Sequence, residues 1–257
     1  MTVKLHDSVL GEGPDVVLLH GLFGMGSNLG SLARALQGRY RVHSVDLPNH
    51  GHSGWLDEAS LVAQAQCVAQ WLDERHLHSA TFVGHSLGGK VAMQLALQQP
   101  LKVDALVVAD IAPVSYESSH DDVFAALDAV AGRPVSSRAD AAAIMAQFIE
   151  EDMVTQFLLL SLQRDNDGTY HWRFNLQGLK DNYAAVREAP ELDIPYDGPT
   201  LFIAGGDSPY ITPKYHAAIE TCFPSSSIRV MPGCGHWLHA QDPNTFNALV
   251  GDFLDSI

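Results

Sequence analysis

The pentapeptide Gly-His-Ser-Leu-Gly at residues 84–88 has the residue types and spacing of a catalytic nucleophile. It lies between the apolar run Ala80–Val83 and the helix-like run Lys90–Gln99. A serine in a sharp, glycine-flanked turn from strand to helix is lifted clear of the sheet, and the helix points its positive end at the reacting oxygen. We therefore predict that Ser86 is the nucleophile of an acyl-transfer reaction.

A second motif, His-Gly-Leu-Phe-Gly at residues 20–24, follows the apolar run Val16–Leu19. In acyl transfer, a loop after an early strand donates one backbone N–H to the developing oxyanion, and the residue after the nucleophile donates another. We assign these roles to the N–H groups of Leu22 and Leu87. The alternative is that residues 20 and 21 form only a glycine turn at the end of a strand.

A serine nucleophile needs a histidine base, and two late histidines compete for the role. The residues from Ser226 to Met231 are predicted to form a strand that ends in a Pro-Gly turn. His236 lies in the loop just past this strand, whereas His239 lies at the start of the next helical stretch. The base follows the last strand in this class of site, so we predict that it is His236. A zinc site at this pair is not predicted, because the spacing matches no known ligand pattern.

The acid partner has two candidates, each at the end of an apolar run. Asp110 follows the run Ala105–Ala109, and Asp207 lies in the motif Gly-Gly-Asp-Ser-Pro at residues 205–209. Many serine hydrolases carry their acid after the strand that precedes this motif, in the pattern G-x-x-D-P. Aligning residues 205–209 with this pattern places Ser208, not an acid, where the aspartate of the pattern stands. One step along an extended chain turns a side chain to the opposite face. We therefore favour Asp110 and keep Asp207 as the alternative.

Strand-like and helix-like segments alternate along most of the chain, which predicts an α/β fold with a mostly parallel sheet between two helical layers. The predicted strands are Lys4–Val9, Val16–His20, Arg41–Asp46, Ala80–Gly84, Ala105–Asp110, Thr200–Ala204 and Ser227–Met231. The predicted helices are Leu29–Leu36, Leu61–Arg75, Leu87–Gln99, Lys214–Cys222 and Asn244–Ser256.

The alternation breaks between residues 115 and 197, a stretch too long for a plain loop. It is predicted to contain helices at Asp121–Val130, Arg138–Met153, Val154–Gln163 and Leu176–Arg187. We expect residues 115–197 to form a helical cap over the active site. Residues 1–114 and 198–257 would then form the core domain.

With these motifs in place, the chain resembles the alpha/beta-hydrolase superfamily from Val16 to the C-terminus, and within it the small bacterial carboxylesterases of the YbfF type. The motifs that carry the resemblance are HGLFG at 20–24, VDLPNHGHS at 45–53, GHSLGGK at 84–90, VVADIAPV at 107–114, WRFNL at 172–176, GGDSPYI at 205–211 and GCGHWLH at 233–239. The resemblance implies a cytosolic serine esterase whose acid follows the strand ending at Asp110. It also implies short to medium acyl esters as substrates.

The composition of the chain limits which binding partners and which cellular compartment are expected. The net charge of −15 argues against nucleic acid and anionic membrane surfaces, so the expected partner is a small-molecule ester. Three widely spaced cysteines suit a reducing compartment, and the N-terminus shows no signal pattern, which together predict a cytoplasmic location. The residue types require no metal and no cofactor, and the oligomeric state is not predicted.

Other reactions on the same three residues stay open, because a fold does not determine a function. The alternatives are a thioesterase, a hydrolase of carbon–carbon bonds, a lyase or a perhydrolase. A different class is a ligand receptor that keeps the three residues but turns over slowly. A nucleophilic aspartate mechanism is excluded, because position 86 is serine.

Overall fold

The computed structural model describes residues 2–257, which are organised around one seven-stranded sheet. Its strands are β1 (Asp7–Leu10), β2 (Asp15–Leu19), β3 (Arg41–Val45), β4 (Ala80–His85), β5 (Val103–Ala109), β8 (Thr200–Gly205) and β9 (Ser226–Met231). A separate two-stranded hairpin is formed by β6 (Leu162–Arg164) and β7 (Tyr170–Trp172).

The large sheet has the strand order β1-β3-β2-β4-β5-β8-β9. Only β1 runs antiparallel, against β3, and every other pairing in this sheet is parallel. The central strands are apolar and buried along almost their whole length, as expected for parallel strands covered on both faces. The predicted α/β fold with a mostly parallel sheet is therefore confirmed.

Helices cover both faces of the sheet. The α-helices within residues 2–257 are α1 (Gly30–Leu36), α2 (Leu61–Glu74), α3 (Leu87–Gln98), α4 (Asp121–Ala131), α5 (Arg138–Met145), α6 (Asp152–Leu159), α7 (Leu176–Asp181), α8 (Tyr183–Arg187), α9 (His216–Cys222), α10 (Leu238–Gln241) and α11 (Pro243–Leu254), of which α4 to α8 lie in the inserted segment. One apolar layer contains Trp71 of α2 and Met93 of α3, and the other contains Leu32 of α1 and Phe246 of α11. Within residues 2–257, no helix is both long enough and apolar enough to cross a membrane.

The inserted segment, residues 115–197, contains α4 to α8 and the β6–β7 hairpin, and neither of its strands joins the large sheet. Side chains bind it to the rest of the molecule. The Ser161 hydroxyl donates to the Phe23 carbonyl oxygen at 2.8 Å, and the Asn182 side-chain oxygen accepts from the Ala59 N–H at 2.7 Å. The apolar side chains of this segment also join the larger of the two cores.

Three expectations for the inserted segment were wrong in detail. The helix predicted to run to Met153 ends at Met145, and α6 starts afresh after Glu151. Consecutive acids at residues 150–152 favour the restart, because the helix dipole stabilises carboxylates at a helix N-terminus and destabilises them at a C-terminus. The helix predicted over residues 176–187 breaks at Asn182, whose side chain instead binds residues 57 and 59. The helix predicted over residues 154–163 ends at Leu159, and residues 162–164 form β6 of a hairpin that was not predicted.

The parallel strands bring the loops that matter to one edge of the sheet. Ser86 follows β4 directly, Asp110 follows β5, and Ser208 follows β8 by three residues. His236 lies in the loop after β9, and the turn at residues 20–24 follows β2. Five carboxyl strand ends therefore converge on one place, which is where open α/β sheets hold their ligands.

Candidate active site

Ser86 stands in a strained turn that only small neighbours allow. Its φ and ψ angles are +51° and −116°, a region that residues with side chains rarely adopt. A Cβ atom at Gly84 would lie 2.4 Å from the Gly88 carbonyl oxygen, and one at Gly88 would lie 2.3 Å from the Leu19 carbonyl oxygen. Both glycines are therefore required by close backbone approach, and the turn presents the serine at the N-terminus of α3.

The structure brings Ser86, His236 and Asp110 into one hydrogen-bonded chain. The Ser86 hydroxyl oxygen lies 3.0 Å from Nε2 of His236, and Nδ1 of the same ring lies 2.8 Å from Oδ2 of Asp110. The Asp110 side chain is fully buried, and 14% of the His236 side chain is exposed. This geometry allows the imidazole to withdraw a proton from the serine while the carboxylate holds the ring in place.

The buried Asp110 carboxylate is held by two further donors. Its Oδ1 accepts the Gly205 N–H at 2.9 Å, and its Oδ2 accepts the Ser208 hydroxyl. Its backbone is also constrained, with a φ of +52° and an N–H that donates to the Ile203 carbonyl oxygen at 2.8 Å. A carboxylate with this many donors keeps both its orientation and its hydrogen bonds without contact with solvent.

Asp207, the alternative acid, lies away from this chain. It is exposed, and its backbone N–H donates to the Cys234 carbonyl oxygen at 2.9 Å. The next residue, Ser208, is buried and points its hydroxyl at Asp110. The one-residue offset in the sequence therefore corresponds to a side chain on the opposite side of the loop.

The turn at residues 20–24 is fixed by two buried histidines. Nε2 of His50 accepts the Phe23 N–H at 3.1 Å, and Nε2 of His20 accepts the Leu47 N–H at 3.0 Å. Phe23 itself has a φ of +64°. Within residues 2–257, the N–H of Leu22 donates to no protein group, so it is free to donate into the site.

The N–H of Leu87 is likewise free. Leu87 is the first residue of α3, and no acceptor in the described part of the chain pairs with its N–H. Leu22, Ser86 and Leu87 line the same small cavity. The two unpaired donors therefore flank the serine, as the stabilisation of an oxyanion requires.

Several histidines around the site are kept neutral by burial. Burial, with a smaller contribution from His20, lowers the pKa of His50 to about 3. Burial, with His236 nearby, lowers the pKa of both His239 and His120 to about 4. Burial also lowers the pKa of His85 well below its ordinary value. These side chains therefore add no positive charge beside His236 near neutral pH.

His239, the alternative base, packs against His85 with the ring centroids 4.4 Å apart and the ring planes at 57°. Its Nδ1 is buried without a hydrogen-bond partner in the described residues. His85 in turn lies 2.8 Å, through Nε2, from the backbone oxygen of His236. The structure therefore brings His236, and not His239, to Ser86.

Two cavities of unequal size meet at Ser86. The small cavity, of about 60 Å³, extends toward α3 and α8; the large cavity, of about 620 Å³, extends toward α6 and the loop after β9. Residues that line only the small cavity are Leu87, Lys90, Ile111, Tyr116, Glu117, Tyr183, Val186 and Arg187. Residues that line only the large cavity include His236, Trp237, Phe148, Met153, Val154, Phe157, Leu158, Asp122, Glu150 and Glu151.

Lys90 links the nucleophile helix to the inserted segment. Its Nζ atom donates to the carbonyl oxygens of Val114, Arg187 and Glu188 at 3.0, 2.6 and 2.6 Å. Burial lowers the pKa of this amine to about 7, partly offset by the Glu188 carboxylate. Three acceptors match the three hydrogens of the ammonium form, so we infer that Lys90 is charged when the bonds are complete.

Sequence reasoning missed the aromatic groups beside the serine. The Tyr210 ring lies on His236 with a centroid distance of 4.2 Å, and Nδ1 of His120 lies 2.6 Å from the Tyr183 hydroxyl oxygen. Tyr210 and His120 line both cavities. The only available signal for Tyr210 was its place within the motif at residues 205–211, and nothing in the sequence indicated His120 or Tyr183.

Comparisons with known proteins agree with the fold. The family model described as the alpha/beta hydrolase family matches residues 16–249. The chain is 40% identical to "Esterase YbfF" of Escherichia coli K12 over 241 residues, which cover 93% of this chain and 92% of that protein.

Two further relatives extend the comparison. The mouse protein "sn-1-specific diacylglycerol lipase ABHD11" is 39% identical over 249 residues, covering 94% of this chain and 81% of that one. Among solved structures, "Marine microorganism esterase" superposes with a TM-score of 0.94 at 34% identity, over 98% of this chain and all of the other.

Proposed function

Because the chain belongs to the alpha/beta hydrolase family, we propose that it is a serine carboxylesterase that works through an acyl-enzyme on Ser86. The observation that carries the proposal is the position of His236, within hydrogen-bond reach of Ser86 on one side and of Asp110 on the other. A general base between a nucleophile and an orienting acid is the arrangement that activates a serine hydroxyl.

In the first half of the reaction, the Ser86 oxygen attacks the ester carbonyl carbon while Nε2 of His236 takes the hydroxyl proton. The carbonyl oxygen becomes an oxyanion, which the free N–H groups of Leu22 and Leu87 stabilise. The imidazolium then gives its proton to the leaving alkoxide, so that the alcohol departs neutral and the acyl group stays on the serine. Asp110 stabilises the imidazolium throughout and remains ionised.

In the second half, a water molecule replaces the alcohol. His236 takes a proton from this water as it attacks the acyl-enzyme, and returns the proton to the Ser86 oxygen as the acid is released. Each step uses only groups on this chain and water. We propose short to medium acyl esters as the substrates. We also propose that the inserted segment is a cap that forms one side of the active site.

Covalent labelling tests this proposal. A fluorophosphonate probe, followed by peptide mass analysis, should modify Ser86. The variant Ser86→Ala should lose labelling and about 10⁴- to 10⁶-fold in kcat for p-nitrophenyl acetate. Ser119→Ala is the matched control, because Ser119 also lines both cavities but lies outside the hydrogen-bonded chain. Activity of Ser86→Ala within about tenfold of the parent would contradict a serine mechanism.

A further inference from the structure

We infer that the acyl group of the substrate occupies the small cavity and the alcohol occupies the large one. The enzyme would then prefer esters of short acids with long apolar alcohols over the reverse combination. This inference rests on the proposed serine esterase function, because it assigns the two halves of the ester to the two sides of Ser86.

The position of His236 decides which half lies on which side. The imidazole must protonate the leaving oxygen, so the alcohol has to extend from a point beside Nε2 of His236. His236 and its neighbour Trp237 line the large cavity and not the small one. With the carbonyl oxygen at the N–H groups of Leu22 and Leu87, the remaining substituent of the carbonyl carbon is the acyl chain. The acyl chain therefore extends into the small cavity.

The volume of the small cavity limits the acyl chain. A cavity needs about 10–15 Å³ of free volume to hold each water-sized group. A volume of about 60 Å³ therefore holds four to six such groups, which is an acyl chain of about four carbons. Val186 is 8% exposed and Ile111 is 3% exposed, so both walls are packed against their surroundings. Toward Val186 and Ile111, a longer acyl chain would have to displace these side chains.

The large cavity suits the alcohol in size and in lining. At about 620 Å³ it lies in the range of cavities that enclose whole small molecules. Phe157 lies against Trp237 with the ring centroids 5.9 Å apart, and Val154 and Leu158 add aliphatic surface. Carboxylates of Asp122, Glu150 and Glu151 also line it, so the alcohol that fits carries no negative charge.

The order of product release agrees with this assignment. The alcohol leaves first, while the acyl group is still bound to Ser86. Phe148 and Met153 line the large cavity and are 37% and 45% exposed, so this side of the site opens to solvent. An alcohol in the large cavity can therefore depart without passing the acyl group.

Two isomeric esters test the assignment directly. Octyl acetate and ethyl octanoate have the same atoms and similar hydrophobicity, but the long chain is on the alcohol in one and on the acid in the other. We expect kcat/KM for octyl acetate to exceed that for ethyl octanoate by at least about tenfold, which corresponds to about 1.4 kcal/mol. Equal rates, or a preference for ethyl octanoate, would overturn the inference.

A matched pair of valine variants locates each half of the ester. Val186→Ala enlarges the small cavity, and Val154→Ala makes the same change in the large one. We expect Val186→Ala to raise the kcat/KM ratio of p-nitrophenyl hexanoate to p-nitrophenyl acetate by about fivefold, since one buried methylene is worth about 1 kcal/mol. Val154→Ala should leave this ratio unchanged and alter the ratio of octyl to ethyl acetate. The opposite pattern would reverse the assignment.

These ratios compare two substrates on one enzyme sample, so partial misfolding of a variant cannot change them. The two hypotheses also fail in different ways. If Ser86 is not labelled and no ester is hydrolysed, the proposed function is wrong. If Ser86 is labelled and p-nitrophenyl acetate is hydrolysed, but the isomer preference is absent or reversed, only the assignment of the cavities is wrong.

Discussion

Replacing Asp110 with asparagine should convert His236 to a form that cannot accept the serine proton. In the parent protein, Oδ1 of Asp110 accepts the Gly205 N–H at 2.9 Å, and Oδ2 accepts from His236. In Asp110→Asn the side-chain oxygen should keep the bond to Gly205, because the Gly205 N–H can only donate and therefore needs an oxygen acceptor. The amide NH₂ then faces Nδ1 of His236.

An NH₂ group can only donate, so Nδ1 of His236 has to become the acceptor and the ring proton moves to Nε2. Nε2 is the atom that lies 3.0 Å from the Ser86 hydroxyl, and in this tautomer it has no lone pair for the serine proton. The loss expected from a wrong tautomer at an otherwise intact site is about 10⁴-fold in kcat, or about 5.5 kcal/mol of transition-state stabilisation. Asp207→Asn is the matched control, and we expect it to change kcat by less than about threefold because Asp207 is exposed.

The assay is the steady-state hydrolysis of p-nitrophenyl acetate by both variants and the parent, with thermal melting to show that each is folded. A pH series adds a second readout, because hydroxide can rescue a serine that lacks a working base. If Asp110→Asn keeps activity within about tenfold of the parent, or if Asp207→Asn loses more, the assignment of the acid is refuted.

Two further predictions concern stability. Lys90→Met should leave three carbonyl oxygens without their donor, and at a cost of roughly 1 kcal/mol or more for each, the melting temperature should fall by at least about 6 °C in a scanning fluorimetry measurement; an unchanged melting temperature would show that the amine contributes no net stability. Acidification should also destabilise the fold through His50, whose pKa is about 3 when folded and about 6.5 when unfolded. Between these two pH values the unfolded chain binds a proton at His50 that the folded chain does not. The stability that the neutral His50 contributes is therefore fully present above pH 6.5 and is lost as the pH falls, by about 3 kcal/mol at pH 4.5. Urea unfolding at both pH values should show a smaller loss in His50→Gln, and an identical loss in both proteins would contradict the assignment.

The sequence was most informative where chemistry and chain geometry restrict the choice of residue. Ser86 could be predicted because its turn requires glycine on both sides, and the strand before it and the helix after it are both strongly apolar. Asp110 could be favoured over Asp207 because one residue of offset in an extended loop reverses a side chain, and the structure indeed turns Asp207 outward. The sheet could be predicted because its buried strands are continuous apolar runs.

Features that depend on contacts between distant residues could not be predicted. His20 and His50 fix the turn beside Ser86, but their roles depend on bonds to residues 27 positions away. The break at Asn182 arises from bonds between its side chain and residues 57 and 59, which no local pattern reveals. The β6–β7 hairpin is short and forms only where the chain folds back on itself.

The Lys90 amine binds only main-chain oxygens, and this has a consequence for how such an enzyme can change. Because the amine contacts carbonyl groups that every residue possesses, the side chains at residues 187 and 188 are not specified by the bond. These bonds hold the inserted segment through its main chain, while the Tyr116 ring, 5.0 Å from Nζ of Lys90, adds a side-chain contact. The side chains at residues 187 and 188 are therefore free to diverge, or to be redesigned for another specificity, provided that the chain there keeps the same path.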